Sequence, residues 1–168
     1  MKHLKVKLFA DGADLNSIIN LSKDNRIKGF TTNPTLMRKA GIQDYKAFAK
    51  EVLDNIKDRP ISFEVFSDDL NEMERQAKEI SSWADNVYVK IPVTNTKGES
   101  TSEIVEKLSH SGVKVNVTAV FTIEQTRKIA LALKDGSPSV ISIFAGRIAD
   151  TGTDPIPIMI DAISLSKS

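Results

Sequence analysis

The chain has 168 residues, 40% hydrophobic and 27% charged, the balance of a soluble globular protein long enough for one substantial core. Its 23 Lys and Arg against 22 Asp and Glu leave a net charge of +1, which gives no electrostatic basis for nucleic acid or an anionic membrane as partner. There is no cysteine, so disulfides and thiolate metal sites are excluded, and an intracellular setting fits.

Residues 1–7 alternate charge with apolar side chains and lack the apolar centre of a signal peptide. No stretch approaches the ~18 apolar residues of a membrane span. His3 and His110 stand apart, without metal-ligand spacing, and read as surface residues.

In chain order, residues 6–10 predict a first strand that runs out at Asp11-Gly12, and residues 28–31 a second. Asn33-Pro34 then reads as a turn and helix start. Tyr45, Phe48, Val52 and Ile56 recur at helical spacing. Residues 61–66 predict the third strand, followed by a helix on Leu70, Met73, Ala77 and Ile80. Residues 86–91 and 113–118 predict the fourth and fifth strands. Thr122 with Gln125 resembles a capping box, and Gly136 suits a helix C-terminus. Residues 140–144 predict a sixth strand, and Asp154-Pro155 marks a further helix start.

The strand starts lie about 22 to 33 residues apart, near the ~30 of a βαβ unit. Such alternation implies a parallel sheet covered by helices. No linker or low-complexity segment interrupts it, so residues 1–168 are expected to form a single α/β domain. Six strands admit two architectures: an open doubly wound sheet, or an eight-stranded barrel without its last two units.

Strand parity separates the two, because alternate side chains point to opposite faces. Phe9 and Asp11 oppose Leu8 and Ala10; Ser62, Glu64 and Phe66 oppose Ile61, Phe63 and Val65. Tyr88 and Lys90 oppose Val87, Val89 and Ile91; Asn116 and Thr118 oppose Val113, Val115 and Val117; Ser142 and Phe144 oppose Ile141 and Ile143. Five strands thus share an apolar face and a face that turns polar toward the C-terminal end. A doubly wound sheet is covered on both faces and wants near-continuous apolar runs. A barrel turns one face inward, where C-terminal polar residues line a site. The parity favours the barrel.

Lys90 is the sharpest chemical signal. It interrupts Val87-Tyr88-Val89-Lys90-Ile91-Pro92-Val93, a run that otherwise reads as buried strand. Desolvation disfavours an ammonium, and a neutral amine attacks carbonyls to give a Schiff base. Bringing a lysine from about 10.4 to the roughly 7 to 8 of a working nucleophile takes about 4 kcal/mol of differential environment. The competing reading is a strand-end lysine that snorkels to water.

Several segments together resemble one family. They are Phe9-Ala10-Asp11-Gly12-Ala13-Asp14, Gly29-Phe30-Thr31-Thr32-Asn33-Pro34-Thr35-Leu36 and Val87-Tyr88-Val89-Lys90-Ile91-Pro92-Val93-Thr94, then Asn116-Val117-Thr118-Ala119-Val120-Phe121 and Ser142-Ile143-Phe144-Ala145-Gly146-Arg147-Ile148. In this order the chain resembles the transaldolases, especially the small ones related to fructose-6-phosphate aldolase, over essentially its whole length. The resemblance implies an α/β fold, a (β/α)8 TIM barrel with about six of its eight βα units within these residues. It also implies that the domain is cut short at its C-terminus, because family members continue for two further units.

The resemblance implies a role for each site residue. Lys90 would be the Schiff-base nucleophile on the ketose carbonyl, and Asp11 would handle the C4 hydroxyl proton during carbon–carbon cleavage. Glu64 and Thr118 would hold a catalytic water. Thr31 and Asn33 would orient donor hydroxyls, and Asn116, Ser142 and Phe144 would line the site. Arg147 would bind the sugar phosphate, as a guanidinium fork suits an oxyanion. Asp11 also reads as a turn residue, Asn33 as a helix start and Arg147 as a solvated charge.

Glu64 and Phe144 resemble the true transaldolases, whereas fructose-6-phosphate aldolases carry Gln and Tyr there. A carboxylate can act as a base where Gln cannot. The implied activity is therefore transfer of a dihydroxyacetone unit between ketose and aldose phosphates. The alternatives are aldol cleavage of the fructose-6-phosphate aldolase type and a non-catalytic phosphosugar-binding remnant. Ile143 departs from the proline common at that place in the family. The resemblance further implies no metal and no organic cofactor, a cytoplasmic enzyme of the pentose phosphate pathway, and a homo-oligomer.

Overall fold

In a computed structural model of the protein, residues 5–166 are described. Among these residues six strands are formed: β1 (Leu8–Asp11), β2 (Ile27–Thr31), β3 (Ile61–Glu64), β4 (Val87–Pro92), β5 (Val115–Val120) and β6 (Val140–Ile143). They make one sheet in the order β1-β2-β3-β4-β5-β6, and every neighbouring pair is parallel. Between and after them lie α1 (Leu15–Ser22), α2 (Pro34–Lys39), α3 (Tyr45–Asn55), α4 (Leu70–Ser81), α5 (Ser102–His110), α6 (Ile123–Leu133), α7 (Ala145–Asp150) and α8 (Ile156–Leu165).

The strand order rules out the doubly wound alternative, whose sequence of strands reverses at a switch point. Strands added always to the same side, by crossovers of one hand, put their helices on one face. The sheet then curls around its other face into a half-barrel. Two contacts between non-adjacent strands report the curl: Lys90 Nζ on β4 donates to the Thr32 carbonyl just past β2 at 3.2 Å, and Asn116 Nδ2 on β5 donates to Ser62 Oγ on β3 at 3.1 Å. In a flat sheet alternate strands stand about 9.5 Å apart, too far for side chains as short as Asn116 and Ser62 to meet.

The core lies between the convex face of the sheet and the helices. Phe63, Val89, Ile91, Val115 and Val117 are completely buried there, against helix residues such as Met73, Ala77, Val105, Leu108 and Ile129. Burying each of the larger side chains contributes about 1.5–3 kcal/mol. α4 shows the local logic. Asp69 caps it by accepting from the Glu72 amide, Met73, Ala77 and Ile80 form its buried stripe, and Glu72–Arg75 and Glu74–Lys78 pair on the wet side. α6 carries the full capping box expected of Thr122 and Gln125.

Several boundaries differ from expectation. β1 starts at Leu8 and takes in Asp11, and β5 runs from Val115 to Val120. β3 stops at Glu64, so Phe66 leaves the strand alternation. Its half-exposed ring stacks on Tyr45 of α3 instead of sharing the face of Glu64. α6 ends at Leu133, and the left-handed residue beyond it is Asp135 (φ 59°) rather than Gly136. Gly136 is required for another reason: a Cβ there would run into the Ser109 side chain. Gly29 has a similar role opposite Phe9 in the β1–β2 register, where a Cβ would overlap the Phe9 ring and meet the Pro60 carbonyl oxygen at 2.9 Å. The short helix α7 had no signal of its own in the periodicity.

Among the described residues no helix is long and apolar enough to cross a membrane. Exposed His110 closes α5, its Nδ1 lying 2.9 Å from the Glu106 carbonyl oxygen. His3 lies outside the described residues. A groove of about 810 Å³ runs on the outer, helix side between α6, β6 and α8. It shares no residue with the polar cluster inside the curl.

Candidate active site

The concave face collects the polar residues that parity placed on it. Register aligns them in two rungs. Asp11 pairs with Thr31, Thr31 with Ser62, and Ser62 with Tyr88. One step nearer the C-terminal end, Glu64 pairs with Lys90 and Lys90 with Asn116. Side chains of paired residues in a parallel sheet leave on the same face, so each rung is a row of functional groups.

Lys90 is 8% exposed, and its nitrogen points into the curl. Nζ donates to the Thr32 carbonyl oxygen at 3.2 Å and lies 3.4 Å from Glu64 Oε2. The snorkelling alternative fails on this geometry. Burial raises the Glu64 carboxyl above its ordinary 4.5, the Lys90 charge opposes that shift, and the nearby Asp11 carboxylate adds to it. A carboxyl so raised is closer to exchanging protons near neutral pH.

Asp11 is exposed at the end of β1 and accepts from the Thr31 hydroxyl at 2.6 Å. The pair belongs to the same concave face as Glu64 and Lys90. Asn116 and Ser142 are joined, with Ser142 Oγ donating to Asn116 Oδ1 at 2.7 Å, and Ser62 extends the chain from the other side of Asn116. Thr118 is buried two residues on, beside a bulge in the β5–β6 ladder at which Ala119 is left-handed (φ 58°). Bulges re-aim side chains at such places.

Three further expected residues are engaged with their own helices or neighbours. Asn33 caps α2, its Oδ1 accepting from the Leu36 amide at 2.9 Å with Pro34 following at the first helical position. Its helix-start reading is therefore correct. Phe144 lies at the head of α7 and stacks edge-on with Phe121 at 5.6 Å. Arg147 is on α7, 73% exposed at the side chain and 3.4 Å from Asp150. Among the described residues no three His, Asp or Glu side chains are grouped as metal ligands would be.

The residues missed by sequence reasoning were Thr32, Ser62 and Tyr45. Thr32 contributes a backbone carbonyl, which leaves no mark in a side-chain pattern. Ser62 belongs to the expected face, but strand parity does not show that Asn116 reaches across to it. Tyr45 read as one apolar position of a helix, whereas its hydroxyl donates to the Glu64 carbonyl oxygen at 2.9 Å.

The family model described as transaldolase/fructose-6-phosphate aldolase matches residues 8–167. A probable transaldolase of Dehalococcoides mccartyi is 38% identical over 162 residues, which are 96% of this chain and 71% of that protein. Probable transaldolases of Streptococcus agalactiae serotype V and Streptococcus pyogenes serotype M5 are each 39% identical over 156 residues, 93% of this chain and 68% of those proteins. With Lys90 paired to Glu64 inside a singly wound half-barrel, and with these matches over nearly its whole length, the chain belongs to the transaldolase/fructose-6-phosphate aldolase family.

Proposed function

We propose that the protein is a transaldolase that moves a dihydroxyacetone unit from a ketose phosphate to an aldose phosphate through a Schiff base on Lys90. The observation that carries this reading is the buried Lys90 nitrogen held 3.4 Å from Glu64. Lys90 as free amine attacks the C2 carbonyl, giving a carbinolamine. Glu64, through a water shared with Thr118, supplies the proton with which the former carbonyl oxygen departs as water. Asp11 takes the C4 hydroxyl proton. The C3–C4 bond breaks, its electron pair moves into the iminium to form an enamine, and an aldose phosphate leaves. Addition of the enamine to a second aldehyde and hydrolysis of the imine restore the amine.

Thr31 fits a role in orienting Asp11, and Asn116 with Ser142 a role in binding the donor hydroxyls. The NH2 of Asn33 remains to donate after its oxygen has capped α2. Arg147 is the candidate for the phosphate. Its exposed contact with Asp150 is a weak competitor, because solvent screens such pairs. The imine is itself the electron sink, so the reaction needs neither a metal nor an organic cofactor.

Product analysis tests the transfer. Incubated with fructose 6-phosphate, the protein is expected to release little free dihydroxyacetone alone and to form a new ketose phosphate once an acceptor aldose phosphate is added. Release of dihydroxyacetone independent of acceptor would mean aldol cleavage. Binding without turnover would mean a phosphosugar-binding protein.

A further inference from the structure

The Glu64 carbonyl has lost its ladder partner. β2 and β3 exchange the bonds of a parallel pair: the Phe30 amide donates to the Pro60 carbonyl at 2.9 Å and the Thr32 amide to the Ser62 carbonyl at 3.1 Å. The next donor in that series would be residue 34, to the carbonyl of residue 64. Residue 34 is proline, which has no N–H, and it opens α2. A half-buried carbonyl left without a donor costs about 1–3 kcal/mol.

Tyr45 fills the gap. Asp44 caps α3 by accepting from the Ala47 amide at 2.9 Å, which starts the helix at Tyr45. The phenol donates to the Glu64 carbonyl at 2.9 Å, while the N–H of the same peptide unit, on Val65, donates to the Lys90 carbonyl at 3.1 Å. The Tyr45 ring stands edge-on to Phe63, Phe66 and Trp83, with centroids 6.0, 4.6 and 5.5 Å away. Its burial pushes the phenol far above its usual range, so it remains a donor. From α4, Gln76 Oε1 accepts from the amides of Phe66 and Ser67 at 2.8 and 3.1 Å. The Glu64–Val65 peptide is thus pinned at both ends, one end by the strand that carries Lys90.

We propose that Tyr45 is a positioning residue for the reaction: by replacing the ladder bond that Pro34 cannot make, it holds the Glu64 carboxyl within reach of the Lys90 amine. The proposal rests on the assignment of Glu64 as the proton-transfer group.

Tyr45→Phe keeps the ring and its aromatic contacts and removes only the donor. Borohydride trapping of fructose 6-phosphate on Lys90 reads the rate of imine formation, at a temperature where melting curves show every variant folded. Tyr45→Phe is expected to slow trapping about tenfold, the scale of one lost hydrogen bond, while the concentration of sugar giving half-maximal rate stays within about twofold. In a Glu64→Gln background the same substitution is expected to change nothing further. An unchanged rate in Tyr45→Phe, or an equal slowing in the Glu64→Gln background, overturns the proposal. If Glu64→Gln slows trapping and Tyr45→Phe does not, only the role of Tyr45 falls. If Glu64→Gln traps at the unaltered rate, or the unaltered protein traps nothing, the assignment of Glu64 falls and the proposal with it.

Discussion

Glu64 and Lys90 face each other across a single rung of the β3–β4 ladder, with Oε2 3.4 Å from Nζ. The strand register sets this contact, so it does not depend on a flexible loop. Burial raises the Glu64 carboxyl and the lysine charge pulls it back. Removing that charge with Lys90→Met is therefore expected to raise the Glu64 pKa further. A carbon-13 NMR titration of the Glu64 carboxyl measures it; a value equal to or below that of the unaltered protein contradicts the geometry.

The same shift makes a signed prediction for stability. Folding raises the Glu64 pKa above its ordinary 4.5, so the native state holds more protons than the unfolded chain between that value and the folded one. The contribution is fully present below 4.5 and is lost as pH rises through the folded pKa. Glu64→Gln lacks this titration. The unfolding free energy of the unaltered protein minus that of Glu64→Gln should fall across that window, as read by urea denaturation at several pH values. A difference that grows with pH contradicts the assignment.

Asp11 accepts from the Thr31 hydroxyl at the mouth of the curl, on the same face as Lys90. Asn at that position keeps a hydrogen-bond acceptor but cannot take a proton. Asp11→Asn is expected to form the lysine adduct and to lose carbon–carbon cleavage by about 10²–10⁴-fold. Single-turnover release of the aldose phosphate checks this, and cleavage at the unaltered rate removes Asp11 from the chemistry.

Phe63 is fully buried on the convex face, edge-on to Tyr45 and Trp83, directly before Glu64 in β3. Phe63→Ala is expected to cost about 3–5 kcal/mol of stability, measured by chemical denaturation. A loss under 1 kcal/mol would mean that the core between β3, α3 and α4 is not packed as described.

Much of this architecture was legible in the residues, because burial writes itself into strand parity. Val87, Val89 and Ile91 are buried outward and Lys90 inward, as alternation requires. Thr122 and Gln125 announced the start of α6 because a cap needs particular side chains at fixed spacing. The end of α6 is not legible from Gly136, because Asp135 takes the left-handed turn while Gly136 makes room for Ser109, and sequence shows a glycine without its reason. Parity puts Phe66 on the wrong face because periodicity does not show where β3 stops. The hold of Tyr45 on Glu64 required knowing that Pro34 falls where the β2 ladder needs an N–H, a coincidence across three elements. Arg147 is placed on exposed α7, and no residue pattern near it indicated what it would face.

Trapping with borohydride in the presence of fructose 6-phosphate, followed by peptide mass spectrometry, puts the amine of β4 directly to the test. A stable reduced sugar adduct on the peptide containing Lys90, absent in Lys90→Ala, is the predicted result. No adduct, or one that persists after Lys90→Ala, would contradict the account.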